Sequence, residues 1–94
     1  MMTKYSIHRT KLFRKQYKAL EKRGYNMALL IEVIKKLADG QVLPAKYEDH
    51  PLRGDKRGYR DCHIKDDWVL VYKRDKGQLI LILSETGTHS DILE

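Results

Sequence analysis

Residues 68–83 read WVLVYKRDKGQLILIL, and this stretch decides the fold class. Trp68 to Tyr72 and Gln78 to Leu83 are short apolar runs rich in β-branched and aromatic side chains, the pattern of strands. Between them Lys73-Arg74-Asp75-Lys76-Gly77 has the length and the glycine of a hairpin loop, so the two strands are expected to be antiparallel neighbours. Both runs are apolar almost throughout. That predicts a central position covered on both faces, with helices on one of them.

Working outward, Tyr59 to Ile64 reads as another strand, entered from a loop between Asp49 and Gly58 that is rich in Asp, Gly, Arg and Lys. Before Pro44 the periodicity becomes helical. Thr10 can cap a helix running to about Arg23, with Gly24 as its stop. A second helix fits between Asn26 and Gly40, with Leu30, Val33, Ile34 and Leu37 at the spacing of a buried stripe. Lys4 to His8 looks like a short first strand. The two helices should form a hairpin, giving an α+β fold: one antiparallel sheet with the helix hairpin packed on one face. No internal repeat or linker interrupts the chain, and its 94 residues suit one domain with one modest core.

Composition narrows the function classes. With 41% apolar and 34% charged residues and only two prolines, the chain has the balance of a folded globular domain. Its longest apolar runs, Met27 to Ile31 and Leu79 to Leu83, fall far short of the roughly 20 residues that cross a bilayer. The amino terminus has no apolar signal-peptide core, so a soluble cytoplasmic protein without membrane contact is expected. Cys62 is alone, which excludes an internal disulfide and a cysteine-based zinc site and suits a reducing compartment.

The formal charge of +6 favours an anionic partner. Residues 1–40 hold ten basic and three acidic side chains, whereas residues 41–94 hold nine and ten, so the basic field belongs to the first half. On the first helix Phe13, Tyr17 and Leu20 gather on one side, and Lys11, Arg14, Lys15, Lys18 and Lys22 form a basic stripe on the other. Such a stripe serves as a solvated face or as a phosphate-binding one.

The candidate chemistry lies in the second half. His50 in Asp-His-Pro-Leu, His63 in Tyr-Arg-Asp-Cys-His and His89 in Thr-Gly-Thr-His-Ser-Asp all fall at turns or strand ends, where a rigid sheet exposes side chains. Cutting RNA without a metal needs a base for the ribose 2′-hydroxyl proton, an acid for the departing 5′-oxygen, and positive charge on the crowded phosphorus centre. Imidazole, with an ordinary pKa of about 6.5, can perform either proton transfer, a carboxylate can orient it, and Arg or Lys supplies the charge.

Structural readings compete at each position. His8 is assigned one, Asp61 and Asp67 are also readable as turn or strand-edge acids, and Trp68 as core. The spacing of His50, His63 and His89 matches no compact zinc pattern, and Gly54 and Gly58 fit neither the P-loop nor the Rossmann spacing, so neither metal nor cofactor is expected. Cys62 and His63 are adjacent, and side chains of neighbouring strand residues diverge, which argues against a Cys–His nucleophile.

In order along the chain, Asp49-His50-Pro51-Leu52, Gly58-Tyr59-Arg60-Asp61-Cys62-His63-Ile64, Asp67-Trp68, Tyr72-Lys73 and Thr86-Gly87-Thr88-His89 resemble the YafQ branch of the RelE/ParE toxin superfamily. The likeness spans nearly the whole chain. It implies two helices followed by an antiparallel sheet, and a bacterial type II toxin: an endoribonuclease that enters the ribosomal A site, cleaves translated mRNA and arrests growth. It further implies a cognate antitoxin, small and dimeric, with a DNA-binding amino terminus and an acidic or amphipathic arm. By the same resemblance His50, His63 and Asp67 form the general-base and orienting group, His89 is the general acid, and Asp61 and Trp68 are supporting residues. The surface that grips ribosomal RNA would comprise the helix-one stripe with Arg53, Lys56, Arg57, Arg60 and Lys65, phosphate contacts that confer affinity more than sequence preference.

Two positions depart from the pattern. Relatives often carry Arg where this chain has Glu85, and a carboxylate cannot stabilise the transition-state charge. That leaves Arg53, Arg60 or Lys65 to supply it, or a weak activity, and leaves Glu85 to accept a hydrogen bond or pair with a cation. Where relatives often have a base-positioning aromatic residue near the carboxy terminus, this chain has Leu93, a supporting position that keeps packing and loses stacking. Two rival readings stand beside the nuclease. One is a ParE-like inhibitor of DNA gyrase, which Glu85 favours mildly and the histidines disfavour. The other is a nucleic-acid-binding module whose histidines are all structural.

Overall fold

The computed structural model describes residues 4–92. Strand β1 (Ser6–Arg9) leads into helices α1 (Lys11–Lys22) and α2 (Met27–Ala38). After a 3₁₀ turn at Ala45–Tyr47 come β2 (His50–Pro51), a second such turn at Gly54–Lys56, β3 (Arg60–Lys65), β4 (Trp68–Asp75), β5 (Ile80–Thr88) and the short helix α3 (His89–Ile92). The strands form one sheet in the order β1-β5-β4-β3-β2. From β2 to β5 every pairing is antiparallel. At the other edge β1 runs parallel to β5, so the expected antiparallel sheet carries one parallel strand. No local pattern announces that pairing, because the partners lie at opposite ends of the chain.

The helices form where their caps and apolar stripes direct. The Thr10 hydroxyl accepts from the Phe13 N–H at 3.0 Å, and Asn26 accepts from the Ala28 N–H at 3.2 Å. Such caps each contribute about 1 kcal/mol. Gly24, at φ +85°, takes the left-handed conformation that ends α1. Phe13 and Leu20 of α1, and Leu30, Val33, Ile34 and Leu37 of α2, are buried in one cluster with Cys62, Leu70, Tyr72, Leu81 and Leu83 of the sheet. Both helices therefore cover the same sheet face.

The strands shift from expectation by a residue or two at β1, β3 and the start of β5, and by more at two ends. β4 continues to Asp75, whose carboxylate accepts from the Gly77 and Gln78 N–H groups and so closes a tighter turn than the apolar pattern suggested. β5 runs past Leu83 to Thr88, a polar continuation that hydropathy conceals. Within it lies a bulge. Tyr72 pairs with Leu83 and Val71 with Glu85, which leaves Ser84 as the extra residue, its carbonyl accepting from the Thr10 hydroxyl at 2.8 Å. An extra residue reverses the alternation of side chains. Leu81 and Leu83 therefore face the helices, and Glu85 and Gly87 the opposite side.

Neither α1 nor α2 packs on that opposite face. Val69 and Val71 on it are nevertheless fully buried. The loop before β3 folds over it, and its Lys56 ammonium bonds to Glu85, the register partner of Val71. Among the described residues no helix is long and apolar enough to cross a membrane.

Candidate active site

Register places the site residues in two rows across the face opposite α1 and α2. His63 lies beside Val69 and Gly87 in one row; His50, Asp61, Val71 and Glu85 share the next. His89 joins them from the first position of α3. Thr88 and Asp91 orient that residue: the Asp91 carboxylate accepts from the Thr88 N–H at 3.0 Å, and the Thr88 hydroxyl accepts from the Asp91 N–H at 3.2 Å. This is a reciprocal cap of the kind that starts helices. Hydrogen bonds from Thr88 hold the Asp91 carboxyl below the usual carboxylate range, and Arg23, 3.6 Å away, adds to the effect. Gly87 leaves room for the cap, since a β-carbon there would come within 3.1 Å of the Asp91 carboxylate.

The His89 backbone N–H bonds to the Asp67 carbonyl, and its ring Nδ1 lies 2.5 Å from the Asp67 carboxylate. A carboxylate accepts, so Nδ1 carries the proton and Nε2 is left to exchange a proton with a substrate. The ring of His63 meets that of His89 edge to face at 5.2 Å between centroids. His50 is oriented in a similar way: its Nδ1–H donates to the Glu48 carbonyl at 2.8 Å, and its Nε2 lies 3.8 Å from the Asp61 carboxylate. Asp61 is 1% exposed and its Oδ1 has no hydrogen-bond partner among the described residues. Burial pushes the Asp61 carboxyl above its ordinary pKa, opposed by the three histidines around it.

The fold thus gathers His50, His63, Asp67, His89 and Asp61 on one face. Trp68 points to the other. Its indole N–H donates to the Thr86 hydroxyl at 2.9 Å and its ring meets Tyr25 edge-on, so it braces the sheet beneath the site. Arg60 also turns from the histidines, in register with Tyr72, and bonds to Asp49 at 3.1 Å. Lys11, Arg14, Lys15, Lys18 and Lys22 are exposed on α1, in the helix layer across the sheet from the histidines. Arg53, Lys56 and Arg57 lie in the loop before β3, from which Lys56 bonds to Glu85. Lys65 lines a groove of about 470 Å³ with Arg23, Tyr25 and Asp67. Leu93 lies outside the described residues.

Sequence reasoning missed Glu48, which touches two histidines. Its carbonyl holds His50, its carboxylate lies 3.9 Å from His63 Nδ1, and its backbone is left-handed, at φ +49°. An acid two residues before a histidine gives no local sign of that geometry. No three His, Cys, Asp or Glu side chains among the described residues gather into a set that would hold a metal ion.

The profile of a family described as the bacterial toxin of a type II toxin-antitoxin system, YafQ, matches residues 5–94. The chain is 44% identical over 81 residues to the mRNA interferase toxin YafQ of Escherichia coli K12, covering 85% of this chain and 78% of that protein. The E. coli DinJ–YafQ complex matches with a TM-score of 0.88 at 35% identity, covering 96% of this chain and 99% of the matched one. A metal-bound toxin from Helicobacter pylori matches with a TM-score of 0.87 at 41% identity, covering 97% and 99%.

Proposed function

The chain belongs to the YafQ family of type II toxin–antitoxin toxins, and from that premise we propose that it is an endoribonuclease that cleaves translated mRNA by acid–base catalysis in the ribosomal A site. One observation carries the mechanism: His89 Nδ1 held 2.5 Å from the Asp67 carboxylate, on the sheet face shared with His63 and the His50–Asp61 pair. In the reaction the ribose 2′-oxygen attacks the adjacent phosphorus as the bond to the 5′-oxygen breaks, leaving a 2′,3′-cyclic phosphate and a free 5′-hydroxyl. His50 Nε2 takes the 2′-hydroxyl proton, since Nδ1 is occupied at Glu48 and Asp61 faces the imidazolium that forms. His89 Nε2 delivers a proton to the leaving oxygen, with Asp67 holding the ring. His63 lies too near His89 to flank the phosphorus from the opposite side and orients the group.

The protein acts as a single toxin domain in the cytoplasm, and a cognate antitoxin, corresponding to DinJ in the E. coli complex, neutralises it. The basic stripe of α1 and the Arg53–Arg57 segment grip ribosomal RNA. Glu85, the residue that favoured a non-nucleolytic inhibitor, is neutralised by Lys56 and gives that alternative no support. Primer extension on message from arrested cells tests the proposal. Discrete cuts within codons that disappear with His89→Ala are expected. Intact message with damaged DNA would overturn it in favour of gyrase inhibition.

A further inference from the structure

Acid and base leave one requirement of the reaction unassigned, the positive charge on the phosphorus centre. We propose that Lys56 supplies it, with its ammonium held over the catalytic face by the buried carboxylate of Glu85. This rests on the RNA-cleavage reading and adds to it a phosphate-contacting residue and the residue that positions it.

Placement is the first argument. Glu85 shares its row with Asp61, two strands and roughly 10 Å away, and lies one row from His63. The bulge at Ser84 puts Glu85 on this face at all. Glu85 is 7% exposed, and burying a charged group is costly unless it is paired. Lys56 bonds to it while keeping a 40%-exposed side chain. An ammonium has three N–H donors, so one can anchor on Glu85 and the others face a substrate.

The Lys56 backbone is also fixed. Its loop closes through the Leu52 N–H on the Tyr59 carbonyl at 2.9 Å and the Tyr59 N–H on the Lys56 carbonyl at 3.0 Å. Two cations of the neighbouring strands are placed less well. Arg60 is bonded to Asp49 on the helix side, and Lys73 lies over the Tyr59 ring, one row farther from the histidines. Because the Lys56–Glu85 pair is neutral overall, it attracts a ground-state phosphate only weakly. The ammonium gains most from the extra charge of the pentavalent transition state, so its effect falls on kcat and not on KM.

The test compares wild type with Lys56→Met, Lys56→Arg, Glu85→Gln and the apolar double variant K56M/E85L in mRNA cleavage on programmed ribosomes, with thermal melts alongside. Lys56→Met is expected to lower kcat about 100-fold with KM moved less than about threefold. Lys56→Arg should recover about tenfold, and Glu85→Gln should fall between wild type and Lys56→Met. K56M/E85L should melt no lower than wild type and still cleave as slowly as Lys56→Met. Recovery of activity in that double variant would overturn the proposal, because the pair would then only brace the loop. Unchanged kcat in Lys56→Met, with wild type cutting, would overturn the Lys56 assignment alone. Uncut message with wild type would take the RNA-cleavage reading down as well.

Discussion

The same three strands build two unlike faces. Toward the helices β3, β4 and β5 present Cys62, Leu70, Tyr72, Leu81 and Leu83, all essentially dry. On the opposite face, from alternate positions of the same strands, they present Asp61, His63 and Glu85, with His50 and His89 arriving from β2 and α3. One face stores stability and the other holds chemistry. Substitutions on the two faces should therefore separate cleanly in what they change.

The sharpest separation is expected from His89→Ala, which should lower mRNA cleavage by about 10²–10⁴-fold, the range for loss of a general acid. His89 is partly exposed, so thermal melts should show a stability change within about 0.5 kcal/mol. Leu70→Ala, one strand away on the dry face, should do the reverse. Deleting so buried a side chain costs about 2–5 kcal/mol in chemical denaturation, while cleavage per folded molecule stays near wild type. If both variants lost activity and stability together, the two-face division would be broken.

Asp61 sharpens the comparison, because it is the buried acid on the chemical face. Its folded pKa is raised by burial, so across the interval between the unfolded value and the raised one the folded state binds more protons, and stability falls as pH rises. Asp61→Asn removes that penalty. Its Tm should exceed wild type at pH 7, and the gap should close as pH falls toward the ordinary carboxylate range of about 4. Cleavage should drop in the same variant, a gain in stability at the expense of function. The smallest effect belongs to the outer surface of the helix layer. Replacing Lys11, Lys15 and Lys18 with Gln should leave stability within about 0.5 kcal/mol. The log–log salt dependence of ribosome binding should become shallower by about 0.7–0.9 for each phosphate contact removed.

Much of the dry face was legible in the chain. The 3.6-residue stripe of α2, the caps at Thr10 and Asn26, the Gly24 stop and the apolar runs of β4 and β5 are local signals, and each predicted its element. Beyond Leu83 the signal failed, because a strand made of Ser84, Glu85, Thr86, Gly87 and Thr88 has no apolar alternation to read. The site was legible in its members and not in its geometry. Three histidines at loops and strand ends, with Asp67, could be listed from residue types and from the family resemblance. That Trp68 and Arg60 face away from them follows from strand register, and Glu48 enters only through a left-handed turn.

By itself the sequence determined the first strand, the two long helices, the three long strands and which side chains are able to move protons, because helix caps, apolar periodicity and imidazole chemistry act within a few residues. Tertiary structure decided the rest. It set β1 parallel against β5, brought α3 to Asp67, and inserted Ser84 as an extra residue anchored by Thr10. That single bulge determines whether Glu85 points into the apolar layer or out to Lys56. The bulged residue is held by a hydrogen bond between residues 74 positions apart, which no local reading of the chain contains.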